Sequence, residues 1–520
     1  MKVLLVTGKL AEAAVRRHAS ESDVEASVIS LPVSVASLLT PEIIARHLSS
    51  VDLTGYDMIL IPGLVRGDIG IIEKAYAIST FKGPRYSADI PTVLNMLGEV
   101  NLSRTEPADS VLRQTFAQQI AHQLREAEEK RGHLLKHPGN ILIGDVPVGK
   151  DFPLRVMAEI LDAPTLSDQE IQYRAKYYVE SGAKIIDIGM MAGNPRPQEA
   201  ARAVKAVKSL NIAPVAIDTF DMEEARAAVE AGADLLLSLN ASTIVEAASF
   251  ARDIAVVILP MEERGGYSPK EPQARVETLA RNVSKARELS YRRVIADPVV
   301  DPLIGPGLTD SIVCYHRFSH MYPNVPLLFG AGNVTELLDA DSVGANALLA
   351  GVAAEVDASI ILTTEGSDKT RGSVRELSTA SKMMFLAKKR ASVPKDLGLD
   401  LLVLKEKRRL EESFEGSLAR AIEAKPTSEE QTDPLGSYRI LIDRSKERIV
   451  AVRFVGANQR EVIEGRDAAS IYGTLIDMGL VTRLDHAAYL GRELAKAEIA
   501  LKLGRSYIQD RPLFAEDDKP

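Results

Sequence analysis

The middle of the chain repeats one pattern, in which a short apolar segment is followed by a helical stretch. Eight such segments lie between residues 138 and 392. Eight strands that each lead into a helix are what a closed parallel barrel requires, so the sequence predicts a (β/α)8 TIM barrel. The predicted strands are Ile141–Val146, Lys184–Gly189, Pro214–Thr219, Asp234–Asn240, Ile254–Pro260, Arg293–Pro298, Pro326–Gly330 and Ser359–Thr364. The helices between them include Asp168–Ser181, Glu223–Ala231, Ala274–Leu289, Asp310–His320 and Ser373–Ala387.

Residues 1–104 alternate strand and helix on a smaller scale and predict a doubly wound α/β domain of the flavodoxin or Rossmann kind. Thr40 and Pro41 have the character of a helix N-cap and first turn, and this helix is expected to run to Leu48. Gly8-Lys9 lacks the glycine spacing of a phosphate-binding loop, which favours a scaffold or subunit-contact role. The predicted strands of this first domain are Val3–Thr7, Val24–Leu31, Met58–Ile61 and Ile90–Leu94. A polar helical connector is expected after it, over residues 105–137.

The end of the chain predicts a small α+β domain over residues 436–520, joined to the barrel by a helix and a polar linker over 393–435. Two strands, Arg439–Asp443 and Ile449–Phe454, precede helices near Asp467–Met478 and Asp485–Leu503. Four side chains share one face of the last helix, and they either pack and form ion pairs or contact a ligand or subunit. They are His486, Tyr489, Glu493 and Lys496.

Charge and cysteine content exclude several classes of protein. The formal net charge of -9 gives no electrostatic basis for binding nucleic acid or a membrane surface. The single cysteine, Cys314, excludes an internal disulfide and a cysteine-rich zinc site. No apolar run approaches the roughly 18 residues of a membrane span. We therefore expect a cytoplasmic protein that acts on small molecules, and we expect it to form a homodimer.

In a (β/α)8 barrel the active site lies at the carboxyl ends of the strands. Carboxylates or amides lie at or just beyond the predicted strand ends. Isolated carboxylates at the ends of apolar strands are expensive to bury without partners, so their convergence predicts a binding site. The residues are Asp145, Asp187, Asp218, Asn240, Met261-Glu262, Asp297, Asn333 and Thr363-Thr364-Glu365.

Carboxylates and amides in an apolar mouth suit a flat heterocycle rich in N–H donors, and a pterin fits because its amino-pyrimidine edge donates two parallel hydrogen bonds. No histidine lies at a predicted strand end, and His316 with His320 is interpreted as a helix-surface pair rather than a metal site. Mg²⁺ held by aspartate oxygens is compatible with this set. Four cations near the mouth are candidates for phosphate contacts or are solvated loop residues: Arg196, Arg264, Lys369 and Arg371.

Several motifs on successive strands resemble the dihydropteroate synthase family. They are Gly182-Ala183-Lys184-Ile185-Ile186-Asp187-Ile188-Gly189, Val215-Ala216-Ile217-Asp218-Thr219, Ala231-Gly232-Ala233-Asp234 and Ile295-Ala296-Asp297-Pro298. The three-part layout is more closely similar to the archaeal dihydropteroate synthase-related proteins. The segment from Arg483 to Leu494 resembles a C-terminal domain found with them.

The resemblance implies condensation of a dihydropterin-methyl diphosphate with an arylamine, in methanopterin or folate-type cofactor synthesis. Asp218 and Asp297 would be the pterin carboxylates, and Asp187 matches the second-strand aspartate of the family. The set around the pterin would also include Asn240, Met261 and Asn333. Mg²⁺ would assist the diphosphate, with Asp145 on the metal side and Lys369 beside the second substrate.

The sequence also departs from the family. Asp145 is aligned with the first-strand Asn, Asn194-Pro195-Arg196-Pro197 replaces a Ser-Thr-Arg-Pro pattern, and Gly332-Asn333-Val334 replaces a Ser-Arg-Lys. The Arg-x-His of the eighth strand is missing. These changes predict a rebuilt arylamine site, for example one for ribofuranosylaminobenzene phosphate. Two alternatives stay open: a pterin-dependent methyltransferase with a corrinoid partner, and a non-catalytic pterin-binding protein.

Overall fold

The structure of the protein is a computed structural model. It describes residues 1–262, 268–395, 397–405, 422, 424 and 433–514, with the backbone alone for 113–119. Within these residues no helix combines the length and the apolar character that crossing a membrane needs. The chain divides into two compact units, residues 1–406 and 407–520, which are described separately below.

The chain begins with a four-stranded parallel sheet in the order β2-β1-β3-β4. The N-cap of its helix α2 is as predicted, because the Thr40 side chain accepts a hydrogen bond from the Ile43 N–H at 3.3 Å. The predicted strand Ile90–Leu94 is wrong: this segment is helical, and the fourth strand lies earlier. The strands are β1 (Lys2–Gly8), β2 (Glu25–Leu31), β3 (Met58–Ile61) and β4 (Ser79–Lys82); the helices are α1 (Glu12–Ala19), α2 (Pro41–Leu48), α3 (Gly70–Tyr76) and α4 (Ile90–Asn95).

Three helices and a short hairpin connect this sheet to the barrel. The helices are α5 (Ala108–Val111), α6 (Arg113–Glu129) and α7 (Arg131–Leu134), and the antiparallel hairpin is formed by β5 (Ile141–Ile143) and β6 (Val146–Val148). The hairpin occupies the segment that the sequence analysis assigned to the first barrel strand. Ile143 and Val148 are fully buried in the cluster that fills the barrel interior, so the apolar pattern of this segment reflects packing across the barrel floor.

The predicted (β/α)8 barrel is confirmed: eight strands, all paired in parallel, close on themselves. Its strands are β7 (Arg155–Ile160), β8 (Ile185–Gly189), β9 (Val215–Asp218), β10 (Leu235–Leu239), β11 (Ala255–Ile258), β12 (Arg293–Ala296), β13 (Leu327–Gly330) and β14 (Ala358–Thr364). Its helices are α8 (Asp168–Ser181), α9 (Pro197–Lys208), α10 (Met222–Glu230), α11 (Thr243–Ala247), α12 (Pro272–Glu288), α13 (Leu308–Met321), α14 (Gly332–Thr335), α15 (Ser342–Glu355) and α16 (Ser373–Lys389).

The barrel interior is a packed apolar layer, not a channel. Met157, Ile185, Ala216, Ile295 and Leu328 point into it from five strands and are at most 1% exposed. Because side chains on a strand alternate with period two, the residues two positions further along the same strands form the next layer, at the carboxyl ends. That layer carries the polar residues of the mouth.

The N-terminal sheet and the barrel are joined by a buried ion pair. The Arg390 guanidinium lies 3.2 Å from the Asp89 carboxylate, and both side chains are at most 7% exposed. Arg390 also donates to the Gln123 side chain of α6 at 3.2 Å. Ile120 on the same helix belongs to an apolar cluster with Met383 and Leu386 of α16. Helix α6 therefore packs on the last barrel helix beside this ion pair.

The second unit contains a three-stranded antiparallel sheet and two helices that cover one face of it. The strand β17 was not predicted, while the other four elements were. A buried carboxylate, Asp433, accepts hydrogen bonds from the backbone N–H groups of Leu435, Thr482 and Arg483. The elements are β15 (Ser437–Asp443), β16 (Arg448–Val455), β17 (Asn458–Gly465), α17 (Ala468–Asp477) and α18 (Leu484–Leu503).

Candidate functional site

Four carboxylates converge at the carboxyl end of the barrel. Each stands two positions beyond an inward apolar residue: Glu159 after Met157, Asp187 after Ile185, Asp218 after Ala216 and Asp297 after Ile295. The strand register places Glu159 beside Asp187 and Gly189 beside Asp218. Carboxylate oxygens of Glu159, Asp187 and Asp218 lie within 4.8 Å of one another. Three of these four residues were predicted from the sequence, and Glu159 was not.

Asp187 is fully buried, with 0% of its surface exposed, and neither carboxylate oxygen has a hydrogen-bond partner among the described residues. Burial, followed by the charges of Asp218 and Glu159, raises the pKa of Asp187 well above its usual range. The Ile188 backbone N–H opposes this shift without reaching hydrogen-bond geometry. A carboxylate in this position needs a proton, a cation or a ligand donor.

Glu159 lies near the carboxyl end of β7, the first barrel strand, where Asp145 was predicted to lie. Burial, with the charges of Asp218 and Asp162, raises the pKa of Glu159 to about 7. Its carboxylate lies over Gly189: a Cβ atom built on that glycine would stand 2.4 Å from the Glu159 Oε1 atom. The missing side chain at 189 therefore makes room for the longer side chain at 159.

A β-bulge in β10 helps to position Asp218. The register with β11 shifts between Leu236 and Leu239, and Ser238 adopts a left-handed backbone with a φ of 66°. The Ser238 hydroxyl donates to the Asp218 Oδ1 atom at 2.5 Å. Burial raises the pKa of Asp218, and this hydrogen bond opposes the rise.

Asp297 is held by two donors from its own side of the barrel. The Val299 backbone N–H donates to its Oδ1 atom at 2.7 Å, and the Tyr315 hydroxyl lies 2.7 Å from the same atom. Burial raises the pKa of Asp297 to about 6, although both hydrogen bonds favour the ionised form. Both hydrogen bonds end on Oδ1, and no described residue donates to Oδ2. Tyr315, on the helix after the strand, was not predicted.

Asn240 and Met261 lie on the loops after β10 and β11. The Asn240 Oδ1 atom accepts hydrogen bonds from the backbone N–H groups of Ser242 and Thr243, each at 3.0 Å, and so closes the turn into α11. The Met261 carbonyl accepts from the Asn282 side chain at 2.9 Å, which fixes the loop backbone. Both residues border the mouth, but the Asn240 oxygen is already engaged by the protein.

Asn333 lies after the seventh strand, in α14, and is exposed. Its amide donates to the Val300 carbonyl at 2.9 Å, which ties the loops after the sixth and seventh strands together. The Arg275 guanidinium lies on the same side, 2% exposed and paired with Asp301 at 2.7 Å. These contacts support the loop that carries Asp297 and Val299.

Of the four cations predicted for phosphate contacts, one forms an ion pair, two are exposed and one lies outside the described residues. Lys369 pairs with the Asp339 carboxylate at 2.8 Å. Arg196 immediately precedes α9 and Arg371 precedes α16, and both side chains are exposed. Arg264 lies outside the described residues. No ion pair joins a cation to Glu159, Asp187, Asp218 or Asp297 within the described part of the chain, so the centre of the mouth is acidic.

The assignment of Asp145 to the mouth is wrong. Asp145 is exposed in the turn of the β5–β6 hairpin, next to Gly144. A Cβ atom on Gly144 would lie 2.8 Å from Pro214 and 3.6 Å from Asp234, residues that precede strands β9 and β10. Asp145 is therefore at the amino end of the barrel, opposite the four carboxylates.

Other residues of interest have ordinary structural environments. His316 and His320 are exposed neighbours on α13, as predicted. The four side chains on one face of α18 make contacts inside their own unit, which is what the packing interpretation expects. Their partners are Asp433 for His486 at 3.2 Å, Asp510 for Tyr489 at 2.7 Å, Tyr507 for Glu493 at 2.9 Å, and Glu493 for Lys496 at 2.6 Å.

Three protein-family profiles match the chain. The profile of pterin binding enzymes matches residues 162–360, a family of unknown function matches residues 1–85, and a family described as PterinBD-DUF4346 matches residues 432–510. The chain is also 38% identical to the uncharacterized protein MJ0107 of Methanocaldococcus jannaschii over 99% of both chains.

Two of the similar solved structures are dihydropteroate synthases. The enzyme of Xanthomonas albilineans in complex with 7,8-dihydropteroate is 19% identical, with a TM-score of 0.38, over 48% of this chain and 98% of the other. The enzyme of Thermus thermophilus in complex with 6HMPPP is 21% identical, with a TM-score of 0.39, over 46% of this chain and 97% of the other.

Proposed function

We propose that the protein, which belongs to the family of the archaeal protein MJ0107, binds a pterin at the barrel mouth and transfers it to an arylamine. The match of its barrel to the profile of pterin binding enzymes supports this proposal. The substrate would be a 6-hydroxymethyl-dihydropterin diphosphate. In this reaction the bond between the pterin methylene carbon and the diphosphate oxygen breaks, a carbon–nitrogen bond forms, and the amine loses a proton.

The observation that carries this proposal is the convergence of the carboxylates in an apolar barrel mouth. A pterin presents several N–H donors along one edge, and ionised carboxylates are acceptors only. Asp297, with its Oδ1 atom held by Val299 and Tyr315, offers Oδ2 to that edge. Asp218, oriented by Ser238, offers a second acceptor from a neighbouring part of the mouth. Preset acceptors reduce the entropy that ligand binding must overcome.

A magnesium ion fits the residues of the mouth. The donors at Glu159, Asp187 and Asp218 are all carboxylate oxygens, the ligand type that Mg²⁺ prefers, and no described residue donates to the buried Asp187 oxygens. Glu159 and Asp187, rather than Asp145, would hold it. When bound, such an ion neutralises the charge that develops on a departing diphosphate. In the chain itself, Asp297 and Asp218 would orient the pterin while the apolar barrel layer beneath excludes water from its inner edge.

The second substrate would be an arylamine, with the phosphate-bearing amine of methanopterin synthesis as the leading candidate and p-aminobenzoate of folate synthesis as the other. Arg196 and Arg371 are exposed cations on loops of the mouth side and suit a phosphate at the rim. Lys369 would have to leave Asp339 to take part. The proposal thus places the anionic end of the amine outside the acidic centre.

One observation favours a second candidate, pterin-dependent methyl transfer to a corrinoid partner. The centre of the mouth carries four carboxylates, and Gly332-Asn333-Val334 stands where the dihydropteroate synthases have Ser-Arg-Lys, so the lysine is missing. A tetrahydropterin that carries a methyl group in place of a diphosphate brings no negative charge into this centre. This candidate does not require magnesium.

Both candidates can be tested with the full-length protein. A dihydropterin diphosphate and a panel of arylamines are supplied with Mg²⁺, and released diphosphate is measured; binding of a methyl-tetrahydropterin is titrated in parallel. Diphosphate release that depends on both substrates supports the condensation. Binding of the methylated pterin without diphosphate release supports methyl transfer. Pterin binding with neither result would leave a binding protein, and no pterin binding would contradict the proposal.

A further inference from the structure

We propose that Arg275 is a positioning residue for the pterin site and that it acts through the backbone of Val299. Its guanidinium holds the loop after β12 in a strained turn, and that turn sets the direction of the Asp297 carboxylate. The inference deepens the proposed function and rests on it for the identity of the ligand. The turn itself is a property of the ligand-free protein and can be observed without a pterin.

The turn begins with the sequence Asp297-Pro298-Val299. Proline has no backbone N–H, so the first backbone donor after Asp297 is that of Val299. This N–H donates to the Asp297 Oδ1 atom at 2.7 Å. An aspartate that accepts a hydrogen bond from the residue two positions later closes a local turn. The direction of the carboxylate therefore depends on the backbone at Val299.

Val299 adopts a left-handed backbone, with a φ of 71°. This conformation is an outlier for a β-branched residue, because the Cβ atom and its substituents crowd the backbone. Among the described residues, two β-branched residues have a φ in this region, Val299 and Ile304, and both lie in the loop after β12. Strained backbone persists only where surrounding contacts hold it, so this loop has to be fixed by other parts of the protein.

Arg275 supplies contacts that fix the turn. It lies on α12, is 2% exposed, and donates through Nη1 to the Val299 carbonyl at 3.3 Å and to the Asp301 Oδ2 atom at 2.7 Å. Its Nε atom donates to the Pro269 carbonyl at 2.7 Å, which fixes the guanidinium from the other side. One buried cation therefore holds both ends of the segment 299–301.

A second helix holds the same segment. The Ser311 hydroxyl, on α13, accepts from the Asp301 backbone N–H at 2.9 Å and donates to the Asp301 carboxylate at 3.0 Å. Ser311 lies one helical turn before Tyr315, whose hydroxyl lies 2.7 Å from the Asp297 Oδ1 atom. The segment that Arg275 fixes is therefore joined to the helix that carries the other hydrogen-bond partner of Asp297.

The side chains at 275 and 299 are coupled by this geometry. Without the Arg275 guanidinium, Val299 can return to an ordinary negative φ, and the rotation turns its N–H away from Asp297. The Asp297 carboxylate then loses a donor that fixes its direction and stabilises its charge. A glycine at position 299 needs no such restraint, because it adopts a positive φ without steric cost. The requirement for Arg275 should therefore depend on the residue at 299.

The test combines the two positions in the full-length protein, with pterin affinity measured by fluorescence titration with a plain pterin in the absence of divalent cations. Arg275→Met should weaken binding about tenfold, because a hydrogen bond to a buried carboxylate is lost. Val299→Gly added to Arg275→Met should restore the affinity to within about threefold of the unaltered protein. Arg287→Met, at an exposed position of the same helix, is the matched control and should bind pterin like the unaltered protein.

Crystal structures of the ligand-free variants give a readout that needs no pterin. We expect Arg275→Met to lose the hydrogen bond from the Val299 N–H to Asp297, and the double variant to keep it. If Arg275→Met does not fold, Arg275→Lys takes its place. Lysine keeps the positive charge beside Asp301, but its single nitrogen replaces the planar fork that spans three acceptors.

An unchanged pterin affinity in a folded Arg275 variant would overturn the inference, as would retention of the Val299 hydrogen bond in its crystal structure. A loss of affinity that Val299→Gly does not reverse would also overturn it, because a purely structural role of Arg275 predicts that result. If the unaltered protein binds no pterin, the proposed function is contradicted, and the crystal structures still decide whether Arg275 fixes the turn.

Discussion

Asp297 is the mouth carboxylate whose surroundings leave the clearest single acceptor for a ligand. Asp297→Asn keeps the shape of the side chain but places an amide N–H where the pterin edge also presents N–H donors. A mispaired buried group costs about 1–3 kcal/mol, so we expect pterin affinity to fall about tenfold or more. Fluorescence titration with a plain pterin measures this. Unchanged affinity would remove Asp297 from the pterin site, and Asp145→Asn serves as the control.

The raised pKa of Asp297 predicts a pH dependence of pterin binding. Protonation turns a carboxylate oxygen from an acceptor into a donor, and burial raises the pKa of Asp297 to about 6. The carboxylate is therefore mostly ionised at pH 7 and roughly nine-tenths protonated at pH 5. We expect affinity, measured without divalent cations, to fall about tenfold between pH 7 and pH 5. Asp297→Asn should flatten this part of the profile, and an equally steep profile in the variant would assign the titration to another group.

Lys369 gives a prediction at the outer edge of the site, where the sequence departs most from the synthases. If Lys369 leaves Asp339 to bind a phosphate-bearing arylamine, Lys369→Ala should raise the apparent KM for that amine and spare pterin affinity. Asp339→Ala should do the opposite and lower the KM, because it frees the cation. Steady-state kinetics with phosphorylated and unphosphorylated amines measure both effects. Equal effects on the two amines, or none, would assign Lys369 to a surface ion pair.

The β5–β6 hairpin explains why the sequence predicts the first barrel strand in the wrong place. Ile141–Val146 is apolar like a barrel strand because Ile143 packs into the barrel interior. The two-residue turn Gly144-Asp145, with a φ of 55° at the glycine, marks a hairpin rather than a strand end. The true first strand, β7, begins with Arg155, carries Glu159 near its end and is the last strand before α8.

The seven remaining barrel strands and the carboxylates on three of them could be predicted, because apolar runs followed by helices and strand-end aspartates are local patterns. Ser238 and Tyr315 could not, since their roles depend on a bulge and on a helix packed behind a strand. Contacts of this kind join positions 18 to 20 residues apart in the chain. No periodic pattern of apolar and polar residues in the sequence predicts these contacts.

The hairpin yields a prediction about stability. Ile143 is fully buried, and Ile143→Ala leaves a cavity, so we expect a loss of about 2–5 kcal/mol in the free energy of unfolding. Asp145→Asn, two residues away and exposed, should change it by less than about 0.5 kcal/mol and should not alter metal or pterin binding. Urea unfolding followed by circular dichroism measures both. Loss of pterin or metal binding in Asp145→Asn would contradict the position described for this residue.

The buried ion pair between Asp89 and Arg390 joins the N-terminal sheet to the barrel. Burial raises the pKa of Asp89 to about 6 despite the neighbouring arginine, so the carboxylate is ionised at neutral pH. Asp89→Ala strands Arg390 without its charged partner, and such a loss costs about 3–5 kcal/mol. We expect faster proteolysis between the sheet and the barrel.

A matched control for Asp89→Ala is Asp253→Ala, which breaks the exposed pair with Arg292, whose two side chains are at least 75% exposed. Surface ion pairs of this kind contribute little to the free energy of unfolding, so the rate of proteolysis and the stability should be unchanged. Similar effects of both substitutions would show that the buried pair does not hold the sheet in place.

A fragment spanning residues 106–392 should fold and bind pterin, because removal of the sheet exposes Arg390 to water instead of leaving it buried.

The barrel floor closed by Ile143 and Val148 has a kinetic consequence. Because these side chains close the amino end of the barrel, every reactant enters and every product leaves through the mouth at the carboxyl end. The ligand that contacts Asp218 and Asp297 must bind first, and the second ligand then lies above it and delays its release. Under the proposed condensation this implies a compulsory order of addition, pterin before amine, and product inhibition that is competitive with the pterin.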